Sequence, residues 1–281
     1  MTQICKSPPF WLFIIGSGLI AIHLTLVWKT NAVNLLGAGL LYWAAIAFRI
    51  WQRRRQLQWQ SDALASLLGL ISIAILLLKS ASVLVGAKFL ALMPLALILS
   101  WALLASGCRG FGQYWAELLA LSILGFPQLL ESWLIDISPQ TAQATALLLW
   151  YGGFDVTLRD QVFVELPRGS VEVYLGCSGI EGILHLLGIA FLYLLIFPTP
   201  RTHKIILPIA AVVIAFVTNT FRVAIMTVLV AQNRQDAFAY WHHGEGSLLF
   251  SILAVLILKG CCDVLQNHSA QSKPSRNWVK N

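Results

Sequence analysis

Tyr174-Leu175-Gly176-Cys177-Ser178-Gly179-Ile180-Glu181-Gly182 sets a thiol directly before a long, mostly apolar run that continues to Phe197. Ser178-Gly179-Ile180-Glu181 has the spacing of a capping box, in which the hydroxyl takes the amide of the third helical residue and the carboxylate reaches back to the cap. The spacing predicts a helix over 178–197, about the 20 residues that cross a bilayer. Cys177 then lies just outside the positive end of the helix dipole, where a thiolate is favoured. Its alternative reading is a small buried apolar side chain.

Outward from this stretch, apolar runs recur along the whole chain. Its 281 residues are 58% hydrophobic and 11% charged, with a mean hydropathy of +0.76, which excludes an ordinary soluble domain. The expected fold is an all-α polytopic membrane protein, a single integral membrane domain over 1–281. It is a bundle of about eight transmembrane helices, over 10–28, 33–51, 62–78, 83–105, 114–135, 178–197, 205–231 and 247–262. The first run is too long for a signal-peptide core and is read as retained. The net charge of +7 comes mostly from Lys and Arg between apolar runs, so nucleic acid is not an expected partner.

Arg53-Arg54-Arg55 is the densest basic cluster and fixes its loop in the cytoplasm by the positive-inside rule. That register makes both termini and the tail 263–281 cytoplasmic, with Lys6, Arg109, Arg201, Lys204, Lys259, Lys273, Arg276 and Lys280 inside. The long connection 136–176 is then extracytoplasmic. Its first part, 139–151, is apolar but too short to span and is expected to lie on or dip into the interface. Its second part alternates: Val162, Val164 and Leu166, a Pro167-Arg168-Gly169-Ser170 turn, then Val171, Val173 and Leu175. Period two around a turn predicts a small β-hairpin before the sixth helix, as a structural lid or as an edge that pairs with an extended peptide. Cys5, Cys108, Cys261 and Cys262 fall at cytoplasmic ends, leaving Cys177 without a disulfide partner on the oxidising side.

Asn219-Thr220-Phe221-Arg222 lies inside an apolar helix, where a charge must face protein or water. Asn219 and Arg222, three residues apart, share one face, as a structural clamp or as part of a site. Tyr240-Trp241-His242-His243-Gly244-Glu245-Gly246 offers two imidazoles at the same side as Cys177. Either can act as base toward a thiol or acid toward a leaving amine, and His242 is the first choice with His243 in reserve. Glu181 and His185 follow Cys177 at four-residue intervals and line one face with it. Together with His242, His243 and Glu245 they could also form a metal site, although no HExxH motif is present.

Cys177-Ser178-Gly179, Asn219-x-x-Arg222 and His242-x-x-x-Gly246, in this order, resemble the exosortase/archaeosortase family over residues 150–260. The Trp-His-His and Gly-Glu-Gly-Ser wording is similar to a cyanobacterial branch of it. The resemblance implies a cysteine transpeptidase or protease in the bacterial inner membrane, with its active site at the outer face. Its substrates would be membrane-anchored proteins bearing a C-terminal sorting signal: a Pro-Glu-Pro-type motif, a transmembrane helix and a basic tail. On this chain Cys177 would be the nucleophile, His242 the general acid/base, Arg222 the stabiliser of developing charge and Asn219 its orienting partner. Neither cofactor nor metal is expected. Two rival readings are a metal-dependent intramembrane hydrolase using His185, His242 and His243, and a transporter or scaffold with Asn219 and Arg222 as an anion site.

Overall fold

The computed structural model describes residues 10–30, 33–82, 86–129, 135–197, 199–242 and 246–271. Cys5, Lys6, Val83, His243, Gly244, Glu245, Lys273, Arg276 and Lys280 therefore lie outside the described residues. The chain is mostly helical and divides into two compact units, Met1–Trp133 and Leu134–Asn281. Among the described residues, six helical stretches are long and apolar enough to cross a membrane, where the sequence led us to expect about eight. The expected fourth and fifth spans fall in one apolar stretch, Lys88–Gly125, and the expected sixth is a shorter apolar helix, Ile180–Ile196.

The first unit holds α1 (Phe10–Lys29), α2 (Val33–Arg53), α3 (Ala63–Ser80), α4 (Ala87–Gly110) and α5 (Trp115–Leu129). α4 packs against α1, α3 and α5 and is its central element. α3 starts where Asp62 accepts the Ala65 amide, at the predicted boundary. Pro94 sits inside α4, and because proline has no N–H, the Leu90 carbonyl one turn earlier loses its helical partner. His23 supplies the replacement. Its Nε2 lies 3.1 Å from the Leu90 oxygen, while Trp43 Nε1 donates to its Nδ1 at 3.2 Å. With Nδ1 accepting, Nε2 carries the proton, so the fully buried ring is neutral and satisfied on both sides. A second polar clamp joins α2 to α5. Arg49 and Arg53 reach the Glu117 carboxylate at 2.8 and 3.3 Å, and Arg53 also donates to the Gln113 carbonyl.

The second unit holds α6 (Ser138–Tyr151), β1 (Thr157–Arg159), β2 (Phe163–Leu166), β3 (Gly169–Glu172), α7 (Ile180–Ile196), α8 (His203–Ala231), α9 (Gln235–His242) and α10 (Gly246–Gln271). α8 is its spine, packing against α6, α7, α9, α10, β2 and β3. The segment 139–151 is thus a helix laid on α8, with Thr141, Ala142, Thr145 and Leu149 on its buried side. Strands β2 and β3 realise the alternating pattern, pairing Val164 with Val171. The sheet has a third strand the sequence did not announce: β1 pairs with β2, and Arg159 lies over the Phe163 ring and pairs with Glu165 at 3.1 Å. β1 is fully exposed and three residues long, too short for its periodicity to register. At the far end α10 continues to Gln271, so the first nine residues assigned to the tail are helical.

Unequal helix lengths set the depth at which the start of α7 lies. α7 has 17 residues and α8 has 29, so at about 1.5 Å per residue α8 outruns its antiparallel neighbour by about 18 Å. At about 43 Å, α8 is also longer than the roughly 30 Å hydrocarbon layer. The sheet, α6 and α9 pack against α8, and the start of α7 falls part-way along it. At the end of α8 the chain reverses. Asn233 takes a left-handed φ of 57°, the Asn233 amide returns to the Val230 carbonyl and the Arg234 amide to Leu229, a Schellman closure.

Candidate functional site

Cys177 ends a 3-10 turn, Leu175–Cys177, in which its own amide donates to the Tyr174 carbonyl at 2.8 Å. Gly179 follows at φ 89°, the left-handed region, and α7 begins only at Ile180. The expected helix start at Ser178 and its capping box are therefore corrected. Ser178 Oγ turns back to donate to the Leu175 carbonyl at 2.7 Å and accepts the Ile180 amide at 3.3 Å, while Glu181 is exposed and does not reach the cap. The physical cause is the left-handed step, which breaks the helical path one residue after the serine. Glycine is required there twice over, since a Cβ at 179 would also stand 2.7 Å from Asn219 Nδ2.

Two side chains hold this turn from outside. Asn219 Nδ2, from α8, donates to the Cys177 carbonyl at 2.9 Å, and buried Thr141 Oγ1, from α6, donates to the Ser178 carbonyl at 2.7 Å. Asn219 thus positions the cysteine backbone rather than Arg222. Arg222, one turn further along α8, has its own task. Its Nε donates to the Trp241 carbonyl at 3.3 Å and its Nη2 to the His242 carbonyl at 2.9 Å. These are terminal carbonyls of α9, where a cation satisfies both the orphan acceptors and the negative end of the dipole. The imidazole is then aimed inward, stacked on Phe238 one turn earlier with ring centroids 5.2 Å apart.

The result is a contact between Cys177 Sγ and His242 Nε2 at 3.2 Å. The thiol is 4% exposed. Burial pushes it up from the ordinary thiol range, while the neighbouring Tyr174 side chain and the Arg222 charge act in the opposite sense. A thiol in such a place is a poor nucleophile until a base takes its proton, and the imidazole stands where that base must be. Cys177 belongs to the core cluster of Ala142, Val164, Val173, Val223 and Met226, so the sulfur sits on a packed floor.

Of the sequence candidates, Cys177, Asn219, Arg222 and His242 come together. Glu181 and His185 are joined to none of them by a hydrogen bond, because Cys177 is not on the helix whose periodicity linked the three. His185 is half-buried within α7. His243 lies outside the described residues. Among those described, no group of three or more His, Cys, Asp or Glu side chains gathers to hold a metal ion. Thr141 and Phe238 were missed. Phe238 was within reach of sequence reasoning, being four residues before His242, but only once α9 is known to be a helix.

Comparison with known proteins bears on this half of the chain and beyond. The family model described as Transmembrane exosortase matches residues 28–259. A probable archaeosortase E of Methanocaldococcus jannaschii is 26% identical over 121 residues, which cover 43% of this chain and 62% of that protein, so the match spans less than two thirds of the relative. No solved structure matches the chain.

Proposed function

Because the chain belongs to the transmembrane exosortase family, we propose that it is a membrane-embedded cysteine transpeptidase or protease that removes the C-terminal sorting signal of exported proteins. It is a multi-pass membrane protein. In this reading the substrate carries a Pro-Glu-Pro-type motif, a hydrophobic helix and a basic tail. The site faces the extracytoplasmic side of a bacterial inner membrane, with both termini cytoplasmic, an orientation supported by the distribution of Lys and Arg.

The observation that carries the mechanism is the 3.2 Å approach of His242 Nε2 to the Cys177 sulfur. The imidazole takes the thiol proton, and the sulfur attacks the scissile carbonyl to give a tetrahedral oxyanion. Arg222 contributes its positive charge near the sulfur and holds the end of α9 so that the imidazole stays in line. Collapse breaks the C–N bond, the departing amine takes the proton from His242, and the acyl group remains on Cys177 as a thioester. An acceptor amine or water then releases it.

Processing of a co-expressed tailed substrate tests this. Cys177→Ala and His242→Ala leave the substrate at full size, whereas unchanged processing in Cys177→Ala favours a scaffold or transporter instead. With purified protein, a thiol alkylator stops cleavage and a chelator does not. The reverse pattern favours the metal-dependent hydrolase.

A further inference from the structure

In the first unit, α1, α2 and α4 leave a cavity of about 500 Å³ between them, walled by Leu, Ile, Phe, Trp, Ala and Gly residues apart from Ser17. Its back wall is Trp101 of α4, whose Nε1 donates to the Leu12 carbonyl at 2.9 Å and so ties α4 to α1. Its inner end is Trp43, bonded to His23 at 3.2 Å. Just beyond, α1 and α2 close on each other, since a Cβ on Gly39 would stand 3.6 Å from the His23 ring. From Trp43 to Trp51 the cavity runs about 12 Å along α2.

The outer end lies where α1 begins and α2 ends. Phe13 meets Trp51 and Trp59 with ring centroids 5.8 and 6.1 Å apart, and Trp59 meets Trp101 at 6.1 Å. Such rings mark the border between hydrocarbon and water. Arg54 stands at that border, its guanidinium 4.2 Å from the centre of the Trp51 ring, and exposed Arg55 follows it. Glu117 takes up Arg49 and Arg53, but among the described residues no ion pair involves Arg54 or Arg55.

We propose that this cavity binds an anionic phospholipid, one acyl chain lying between α1, α2 and α4 and the phosphate held against Arg54 and Arg55. Depth and charge select this occupant. A slot of about 12 Å is close to the roughly 15 Å half of the hydrocarbon layer that one acyl chain fills, whereas a spanning helix needs a groove over the full 30 Å or so. The closure at His23 and Trp43 denies it that length. An arginine near the bilayer surface strengthens anionic-lipid binding by about fivefold, and the same charge repels a helix that ends in a basic tail.

The test is native mass spectrometry of the full-length protein with phosphatidylglycerol and, separately, phosphatidylcholine of the same chains. One phosphatidylglycerol should be held about 25-fold more tightly than phosphatidylcholine, and Arg54→Gln with Arg55→Gln should erase the difference. Ala47→Phe, which puts a ring into the slot, should release both lipids. On the unaltered protein, phosphatidylglycerol with a photoreactive diazirine in its acyl chain should label peptides within 13–20 and 43–51. Equal binding of the two lipids, binding untouched by these substitutions, or label outside those segments overturns the proposal. Displacement of the lipid by a synthetic apolar helix with a basic tail overturns it too, and assigns the cavity to that helix. All of these are read without turnover, so they are independent of the cysteine mechanism, whose failure appears as processing that survives Cys177→Ala.

Discussion

Gly179 is the residue on which the Cys177 turn depends, because its left-handed φ and the contact with Asn219 both exclude a side chain. Gly179→Ala should cost about 1–2 kcal/mol from the backbone alone and displace Asn219 from the Cys177 carbonyl. Processing is expected to fall well over tenfold while the protein still folds, measured as substrate turnover beside a thermal melt. Arg222 separates into two effects. Arg222→Lys keeps the charge but not the fork, so the rate should fall by about tenfold with the alkylation profile of Cys177 nearly in place, in line with one charge-assisted hydrogen bond. Arg222→Gln removes the charge as well. Since that charge favours the thiolate against burial, its loss moves the alkylation midpoint to higher pH. Cys177, Arg222 and His242 were legible in the sequence because each is out of place by chemistry, a lone thiol, an intramembrane cation and an imidazole beside a span.

At the scale of elements, the helices were read best where hydropathy is continuous and worst where two neighbours share the burial. α6 and α9 both lie against α8, and each needs only one covered face. α9 has no fully buried residue and is eight residues long, too short for a helical period to stand out. His23 and Pro94 show the same limit, since the carbonyl that proline orphans is met by a ring 67 residues away in sequence from Leu90. A double-mutant cycle tests that pairing. His23→Ala should destabilise the protein by about 1–3 kcal/mol by leaving the Leu90 carbonyl buried and unbonded. Pro94→Ala restores an amide one turn below and should recover part of that loss. Additive effects in detergent unfolding would count against the pairing.

For the molecule as a whole, the proposed orientation rests on charge and is open to a direct measurement. Ser82→Cys, in a background with the native cysteines replaced, is expected to react with an impermeant maleimide in intact spheroplasts. Gln56→Cys, beside the Arg53-Arg54-Arg55 cluster, should react only after lysis. The opposite pattern would place Cys177 in the cytoplasm and undo the sorting-signal reading.

Asn219 and Arg222 also give α8 the part of a gauge block. One grips the carbonyl behind the sulfur and the other the carbonyl behind the imidazole, so the gap between thiol and ring is calibrated by less than one pitch of a single rigid rod. Inserting one alanine between them would rotate the two grips apart by about 100°, leaving thiol and imidazole each well held and unable to meet.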